Sequence, residues 1–387
     1  MRPATCHTTN HAHCGTCRHS VMSHAAFIIG ITLLTAAQVT AEEWSESSEL
    51  WDPHESMPTA AETTPLQAVR FHVIKAHEPE RDGGYRFLHG VALAWHRGKL
   101  YASWGHNRGK ENTAGDEARG RVSTDGGRTW SDTFTIDDGA DGLAVSHGSF
   151  LSFDGQLWAF MGAFHGKRED VHTRAYVLDE STGTWGFRGR IIGDGFWPME
   201  QPKKLDDGHW IMGGLIVGQG NPAAVARSHG DDLLQWELKV IPRPTEGRIW
   251  GESTTIADGS NVLNIARYGS QAVALMAFSS DSGRSWTPSR PGNLPMSTSK
   301  PYAGTLSNGR HFLICTTTAD SGNARAPLTI AISDAGQPQF SHVYRIRDAV
   351  HEEGAVDSHA SARLSYPYAV EHQGYLYVGY SNNGGRQ

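Results

Sequence analysis

The stretch Ser123–Trp130 reads S-T-D-G-G-R-T-W, and it returns as S-S-D-S-G-R-S-W at Ser279–Trp286. Both copies fit the pattern S-x-D-x-G-x-x-W. The aspartates, Asp125 and Asp281, can accept hydrogen bonds from backbone N–H groups of a tight turn, and the glycine after each can take a positive φ. The tryptophan can return to apolar packing as the next strand begins. The pattern therefore predicts a repeated hairpin turn, which is structural and carries no chemistry by itself.

Weaker copies of this turn occur between the two and after them. Acidic and glycine turn residues precede an aromatic residue in three further stretches, Asp179–Trp185, Ser228–Trp236 and Ser333–Phe340. Measured from aromatic to aromatic, the steps are 55, 51, 50 and 54 residues, through Trp130, Trp185, Trp236, Trp286 and Phe340. A period near 50 residues is typical of one four-stranded propeller blade.

Strand patterns joined by short turns, mostly D-G or N-G, support the same architecture. Six such hairpins begin near residues 90, 149, 204, 254, 303 and 368, and no helical pattern of twelve or more residues competes with them. We predict an all-β, six-bladed propeller of four-stranded antiparallel blades, or seven blades if residues 66–86 contribute strands. Because the chain ends in a turn-like stretch, ring closure is expected to use an N-terminal strand, unless the sequence is a fragment.

The N-terminal region predicts export. Ala25–Ala37 is a short apolar run, and the small residues Val39-Thr40-Ala41 that follow are typical of a signal-peptidase site. We expect residues 1–41 to be a signal peptide with Met22 as the true start, residues 42–65 to be a polar linker or strap, and residues 66–387 to form the propeller. The protein is therefore expected to be secreted or periplasmic, without membrane contact after signal removal.

Cysteine and histidine near the N-terminus offer a second interpretation. The group Cys6, His7, His11, His13, Cys14, Cys17 and His19 resembles a zinc cluster. A start at Met22 removes it, which leaves Cys315 as the only cysteine and excludes an internal disulfide. We therefore expect no metal, no cofactor and a monomer, and the net charge of −7 without a basic run argues against nucleic acid as a partner.

The run from Trp250 to Gly259, continuing to Arg267 and then to the second turn motif, resembles the central blade of the sialidase superfamily. In that family a glutamate precedes a strand, D-G forms the hairpin, and an arginine ends the next strand. The resemblance implies that Glu252 is the catalytic glutamate and that Arg267 is one of three arginines that bind the substrate carboxylate.

The same resemblance covers roughly residues 85–381 and implies further roles. Arg325 resembles the later carboxylate-binding arginine, Tyr366 the nucleophile, with Tyr368 as the alternative register, and Asp116 the general acid. The pattern departs where the family has its first arginine, because His89 stands there and Arg86 lies three residues earlier. This departure places sialic acid specificity in doubt.

The chemistry of these residue types is consistent with that assignment. A carboxylate nucleophile would be repelled by a carboxylate at the anomeric carbon, so a neutral tyrosine activated by a glutamate is a sensible replacement. Arginines bind carboxylates in a bidentate manner. The sequence thus predicts a secreted, exo-α-sialidase-like glycosidase that releases terminal sugars from an acidic oligosaccharide or polysaccharide with retention. Each residue also has a structural alternative, as an ion-pair partner between blades, a turn acid or a packing residue.

Histidine supports a rival function. Of the 21 histidines, several lie near strand ends of the first two blades, including His89, His147 and His165. A histidine base, a tyrosine acid and Arg267 could instead cleave a uronate-containing glycan by β-elimination. The candidate substrate-binding residues for either reaction are Arg267, Arg325, His89, Arg108, His147, His165 and Tyr368. A non-catalytic glycan-binding propeller is the third alternative.

Overall fold

A computed structural model of the chain describes residues 44–77, 84–111, 113–350 and 363–382. Within these ranges the fold is all-β, since the one helical element is a 3-10 helix at Ala60–Glu62. The predicted signal peptide and the group of cysteines and histidines near the N-terminus lie outside the described residues. No helix among the described residues is long and apolar enough to cross a membrane.

Six antiparallel sheets follow one another along the chain after a two-residue strand, β1 (Thr64–Pro65). Sheet 1 contains β2 (Phe87–His96), β3 (Lys99–Asn107), β4 (Asp116–Ser123) and β5 (Phe134–Asp137). Sheet 2 contains β6 (Leu143–Phe153), β7 (Gln156–His165), β8 (Glu169–Asp179) and β9 (Thr184–Ile192). Sheet 3 contains β10 (Phe196–Pro198), β11 (Lys203–Lys204), β12 (Trp210–Ile216), β13 (Ala223–His229) and β14 (Asp232–Val240).

The other three sheets follow in the same way. Sheet 4 contains β15 (Ile249–Asp258), β16 (Asn261–Tyr268), β17 (Val273–Ser279) and β18 (Arg290–Pro295). Sheet 5 contains β19 (Tyr302–Thr305), β20 (His311–Cys315), β21 (Leu328–Ser333) and β22 (Phe340–Arg347), with β1 added in parallel to β22. Sheet 6 contains β23 (Ser365–His372) and β24 (Tyr375–Ser381).

The first strand of each sheet faces its neighbours around a ring. β2 contacts β6 on one side and β23 on the other, β6 contacts β10, and β12, β15, β19 and β23 continue the series. β10 and β11 both pair with β12 and act as one interrupted inner strand. The predicted propeller arrangement of small antiparallel sheets is therefore confirmed.

The number of blades differs from the prediction of six four-stranded blades. Five sheets have four or five strands, and sheet 6 has two among the described residues. The segment considered for a seventh blade forms no strand in residues 66–77 and 84–86. The N-terminal strand β1 joins the outer edge of sheet 5, so the ring closes through contact of β23 with β2 instead.

The repeated turn motif has the predicted geometry. Asp125 Oδ1 accepts the backbone N–H of Thr129 at 2.9 Å, and Asp281 Oδ1 accepts that of Ser285 at 2.9 Å. Gly127 has a φ of 87°, which an L-residue rarely adopts. The backbone hydrogen bond from Thr129, with side-chain hydrogen bonds, lowers the pKa of Asp125 to about 2. The motif is thus a hydrogen-bonded turn, as the sequence indicates.

The hydrophobic core lies between neighbouring sheets. One cluster joins sheet 3 to sheet 4 through Ile211 and Val262, both fully buried. The segment before the propeller packs onto sheets 4 and 5, where Trp44, Leu50 and Trp51 are buried. Residues 44–65 are therefore a strap attached to the propeller, although their composition is largely polar.

Candidate active site

A cavity of 530 Å³ lies where the inner strands converge. This volume is within the range of small-molecule sites. Its walls come mainly from the inner strands of sheets 1, 2, 3, 4 and 6 and from loops above them. The lining residues are Phe87, His89, Glu111, His147, Arg168, Trp197, Met199, Leu215, Val217, Trp250, Glu252, Arg267, Arg325, Arg363, Ser365 and Tyr366.

β-Bulges in the inner strands place side chains in this cavity. In β2, β6 and β23, three residue steps on the inner strand oppose two on its partner, and in β15 four oppose two. The extra residues fall next to His89, at His147, at Tyr366, and between Ile249 and Ser253, where Glu252 lies. Because a bulge interrupts the alternation of side chains and redirects them, these residues face the cavity instead of the space between blades.

Three side chains form a continuous chain of polar contacts in the cavity. The hydroxyl of Tyr366 donates a hydrogen bond to Glu252 Oε1, and Arg267 Nη1 donates to Glu252 Oε2 at 2.7 Å. Burial raises the pKa of Tyr366 well above its ordinary value, and the charge of Glu252 adds to this effect. Tyr366 is 6% exposed and has a φ of 55°, an unusual conformation that the surrounding structure must hold.

Four guanidinium groups give the cavity an excess of positive charge over its two glutamates. Arg325 Nη2 donates to the carbonyl of Thr298 at 3.0 Å, and the backbone N–H of Leu364 donates to the carbonyl of Arg325 at 2.8 Å. This second contact brings the segment of Arg363 beside that of Arg325. Arg168 lies in the turn between β7 and β8, and its guanidinium is 5.7 Å from the ring centre of Trp250. The cavity is therefore suited to an anionic ligand.

Two buried histidines flank Tyr366. The ring centre of His89 lies 3.9 Å from that of Tyr366, and the ring centre of His147 lies 6.1 Å from it. Burial lowers the pKa of His89 well below its ordinary value and that of His147 to about 3, so both rings are neutral at neutral pH. Nε2 of His147 is buried without a hydrogen-bond partner among the described residues. The ring of His147 thus leaves one buried polar atom beside Tyr366 without a partner in the described part of the chain.

Six of the ten candidate residues from the sequence line this cavity: His89, His147, Glu252, Arg267, Arg325 and Tyr366. The other four, Asp116, Arg108, His165 and Tyr368, do not. The arrangement thus brings together the glutamate, the tyrosine and two arginines that lie up to 114 residues apart in the chain.

The positions of the other four candidate residues explain why they do not line the cavity. Asp116 is buried at the start of β4, where it pairs with Asn107 and accepts a hydrogen bond from its side chain. Arg108 lies 4.8 Å from the ring centre of Tyr85. His165 ends β7 in the ladder, opposite Leu143 and Glu169. Tyr368 is back in the regular ladder after the bulge, so it is fully buried 4.5 Å from the ring of Tyr302.

Three charged residues of the cavity were missed in the sequence. Glu111 comes from the loop that also leads to Asp116, Arg168 from the turn between β7 and β8, and Arg363 from three residues before Tyr366. Charged residues in turns are commonplace, so their types gave no signal. Arg363 lies three residues before the candidate tyrosine, and this closeness in sequence was the one indication that it could reach the same cavity.

The comparisons with known proteins agree with this fold. Residues 98–378, more than half of the chain, match the BNR repeat-like domain. No curated protein matches the chain. Among solved structures, the NanB sialidase from Streptococcus pneumoniae is similar with a TM-score of 0.63 at 10% identity, over 82% of this chain and 68% of that one.

Two further solved structures are similar at the same level. A protein of unknown function from Dyadobacter fermentans has a TM-score of 0.60 at 15% identity, over 81% of this chain and 92% of that one. The Hadza microbial sialidase Hz136 has a TM-score of 0.57 at 14% identity over 69% of this chain, which spans 60% of that sialidase. Identities this low show the fold alone. The domain match, which covers more than half of the chain, shows that the chain belongs to the family of BNR repeat-like domain proteins.

Proposed function

We propose that the protein is a retaining glycoside hydrolase that removes a terminal acidic sugar from a glycan. One observation carries this proposal, namely the contact of the Tyr366 hydroxyl with Glu252 and of Glu252 with Arg267 in one cavity. The similarity to proteins described as sialidases supports a glycan-related function.

Tyr366 is the nucleophile in this proposal. Its raised pKa keeps the phenol protonated at rest, so attack on the anomeric carbon requires a base that takes the proton as the new C–O bond forms. Glu252 Oε1 already accepts that proton in a hydrogen bond, and Arg267 holds the other carboxylate oxygen. The glycosidic C–O bond breaks as a general acid gives its proton to the leaving oxygen. Water then attacks the anomeric carbon of the glycosyl–tyrosine intermediate, the carboxylate of that acid takes the proton of the water, and Glu252 returns its proton to the departing Tyr366 phenolate. Two displacements at the same carbon give overall retention.

The substrate carboxylate is bound by arginines. Arg267, Arg325 and Arg363 all line the cavity, and the last two lie on adjoining segments. A guanidinium binds a carboxylate through two parallel hydrogen bonds and remains charged at any working pH. His89 stands where the sialidase superfamily has its first arginine, but its ring is buried and neutral, so it cannot supply a positive charge to the substrate carboxylate.

The general acid in this proposal is Glu111 instead of Asp116. Glu111 lines the cavity with a side chain that is 45% exposed, 3.8 Å from Nε2 of His89, whereas Asp116 is buried outside the lining. A proton donor to the leaving oxygen must reach the bound glycoside, so position decides between the two carboxyls.

Two structural and cellular proposals accompany this function. We propose that sheet 6 is the sixth blade of the ring, reduced to two strands among the described residues, since β23 contacts the inner strands of sheets 1 and 5.

We also propose that the apolar N-terminal run directs export, which would bring the enzyme to extracellular or periplasmic glycans as a monomer.

The test uses a panel of fluorogenic glycosides of N-acetylneuraminic acid, of glucuronic acid and of a neutral sugar. We expect release from at least one acidic glycoside, none from the neutral one, and a product of retained configuration by NMR. Tyr366→Phe removes the nucleophile and Glu252→Gln removes its base, so each is expected to reduce kcat at least about 100-fold. Unchanged turnover in either variant, or an inverted product, would remove the proposal.

A lyase acting on uronate-containing glycans is the second candidate. The two neutral histidines beside Tyr366 favour it, since His147 Nε2 could take a proton next to a carboxylate that an arginine neutralises. Elimination produces an unsaturated uronate that absorbs in the ultraviolet, whereas hydrolysis does not. An absorbing product from a polyuronate would decide for the lyase, and binding of glycans without either product would indicate a non-catalytic propeller.

A further inference from the structure

A buried lysine lies behind the candidate nucleophile. Lys300 is 3% exposed, although burial of an ammonium group costs several kcal/mol without compensating partners. Its Nζ donates a hydrogen bond to the carbonyl of Pro367 at 2.9 Å. The same Nζ lies 5.4 Å and 5.7 Å from the ring centres of Tyr302 and Tyr368. A lysine held in this way requires an explanation beyond packing.

The position of Lys300 in the propeller matches that of the cavity residues. The backbone of Ser297 donates to Thr316, but the ladder of β19 resumes only at Tyr302, opposite Ile314. Sheet 5 therefore has its own break at the same place where the bulges of the other inner strands carry His89, His147, Glu252 and Tyr366. Lys300 occupies this break, but its ammonium reaches across to β23 and is not part of the cavity wall.

The hydrogen bond from Lys300 lands on the bulge that carries Tyr366. Ser365 pairs with Ser381 and Tyr368 pairs with Gly379, so Tyr366 and Pro367 lie outside the ladder between β23 and β24. The carbonyl of Pro367, one residue beyond Tyr366, is thus fixed by Lys300, and neither Lys300 nor Pro367 is among the residues that line the cavity. A residue with a φ of 55° keeps this conformation only where such contacts over-determine it.

The charge of Lys300 also reaches the site. Glu252 and Glu200 favour the ammonium form, whereas burial and Lys203 oppose it. In turn the ammonium disfavours protonation of His147 and, with Arg325 and Arg267, of His89. The titratable groups that act on Lys300 are thus Glu252, which lines the cavity, together with Glu200, Lys203 and the thiol of Cys315, which do not.

We propose that Lys300 is a positioning residue for the reaction proposed above, on which this inference rests. Its hydrogen bond to the Pro367 carbonyl holds the bulge of Tyr366, and with it the Tyr366 hydroxyl on Glu252, and the ammonium charge strengthens that hydrogen bond. Burial lowers the pKa of Lys300 to about 8, so this charge is present below that pH and is lost above it. The turnover of the wild-type protein is therefore expected to decline as the pH rises through about 8.

The experiment compares Lys300→Met, Lys300→Arg and the control Lys204→Met, a surface lysine paired with Asp231. Loss of the ammonium is expected to lower kcat about 100-fold with little change in KM, because a nucleophile misplaced by about 1 Å costs that much. Lys300→Arg retains a donor and a charge that does not titrate, so it is expected to recover part of kcat and to lose the alkaline decline. Lys204→Met is expected to behave as the wild type.

The outcomes separate this inference from the proposed function. An unaltered kcat and pH profile in Lys300→Met, or an alkaline decline that persists in Lys300→Arg, would overturn it, and the second result decides if the methionine variant does not fold. If the wild-type protein turns over no glycoside, the proposed function fails instead. A crystal structure of Lys300→Met or Lys300→Arg then tests the positioning role directly: it predicts the Tyr366 hydroxyl displaced from Glu252 in the first and retained in the second, and an undisturbed Tyr366 in the first would contradict it.

Discussion

Removal of the Arg267 guanidinium is the perturbation whose cost the structure defines best. Arg267 Nη1 lies 2.7 Å from Glu252 Oε2, and the two side chains are 17% and 8% exposed. In Arg267→Met the carboxylate of Glu252 stays buried without its ion-pair partner. Breaking a buried pair in this way costs about 3 kcal/mol of the free energy of unfolding. For a domain of this size such a loss lowers Tm by about 4 °C.

The assay is thermal and chemical denaturation of matched variants at neutral pH. Arg284→Met is the control, because Arg284 also bonds an aspartate, Asp207, at 2.8 Å but is 50% exposed. An exposed pair contributes less than about 1 kcal/mol, so this variant is expected to change Tm little. The double variant Arg267→Met with Glu252→Gln removes the unpaired charge and is expected to recover much of the lost stability.

The result that would refute this reasoning is equally specific. If Arg267→Met has the same Tm as Arg284→Met, the ion pair in the cavity does not contribute the free energy of unfolding assigned to it. If the double variant is no more stable than Arg267→Met alone, the loss comes from packing of the arginine and not from an uncompensated carboxylate.

Three further predictions concern the acid, the turn motif and the bulge. Glu111→Gln is expected to slow the hydrolysis of glycosides with poor leaving groups at least about 10-fold and that of activated aryl glycosides much less. Asp116→Asn is the control and is expected to show no such dependence on the leaving group. Equal kinetics for both variants across a series of leaving groups would exclude Glu111 as the acid. Burial raises the pKa of Asp281, but hydrogen bonds from Ser285 outweigh it and hold the pKa at about 2, so Asp281→Ala is expected to lose about 1–2 kcal/mol of the free energy of unfolding at neutral pH. Because the folded pKa is lowered, the difference in stability from the wild type should disappear as the pH falls through about 2. A difference that persists below that pH would contradict this account. Gly90→Ala adds a Cβ that would lie 2.1 Å from the His147 ring at a φ of 69°, so we expect a loss of about 1–3 kcal/mol with displacement of His147, measured by denaturation and a crystal structure, and wild-type stability would show that the bulge adapts freely.

The repeat predicted the fold because it repeats a local structure. Asp125 and Gly127 determine their turn through contacts within five residues, so their pattern is visible in the sequence wherever it recurs. The blade count was less accessible, because it depends on how many strands pair in the last sheet. The attachment of β1 to sheet 5 depends on a partner 280 residues away, Tyr344 opposite Thr64.

The site was predictable in part for the same physical reason. Glu252 and Arg267 lie on neighbouring strands of one hairpin, and their spacing is a local property of that blade. Glu111 and Arg168 reach the cavity from loops whose paths no periodicity describes. Lys300 was not recognised, because a lysine two residues before a strand is usually solvated, and the carbonyl that accepts its hydrogen bond lies 67 residues away, at Pro367.

The most direct test of the central claim is covalent trapping of the nucleophile. The wild-type protein is incubated with a fluorinated analogue of the acidic glycoside that it cleaves, whose intermediate hydrolyses slowly, and the labelled peptide is identified by mass spectrometry. We predict one glycosyl group, attached to Tyr366, and no labelling of Tyr366→Phe. A label on Glu252 or Glu111, or inactivation of the enzyme without any label on Tyr366, would contradict the account.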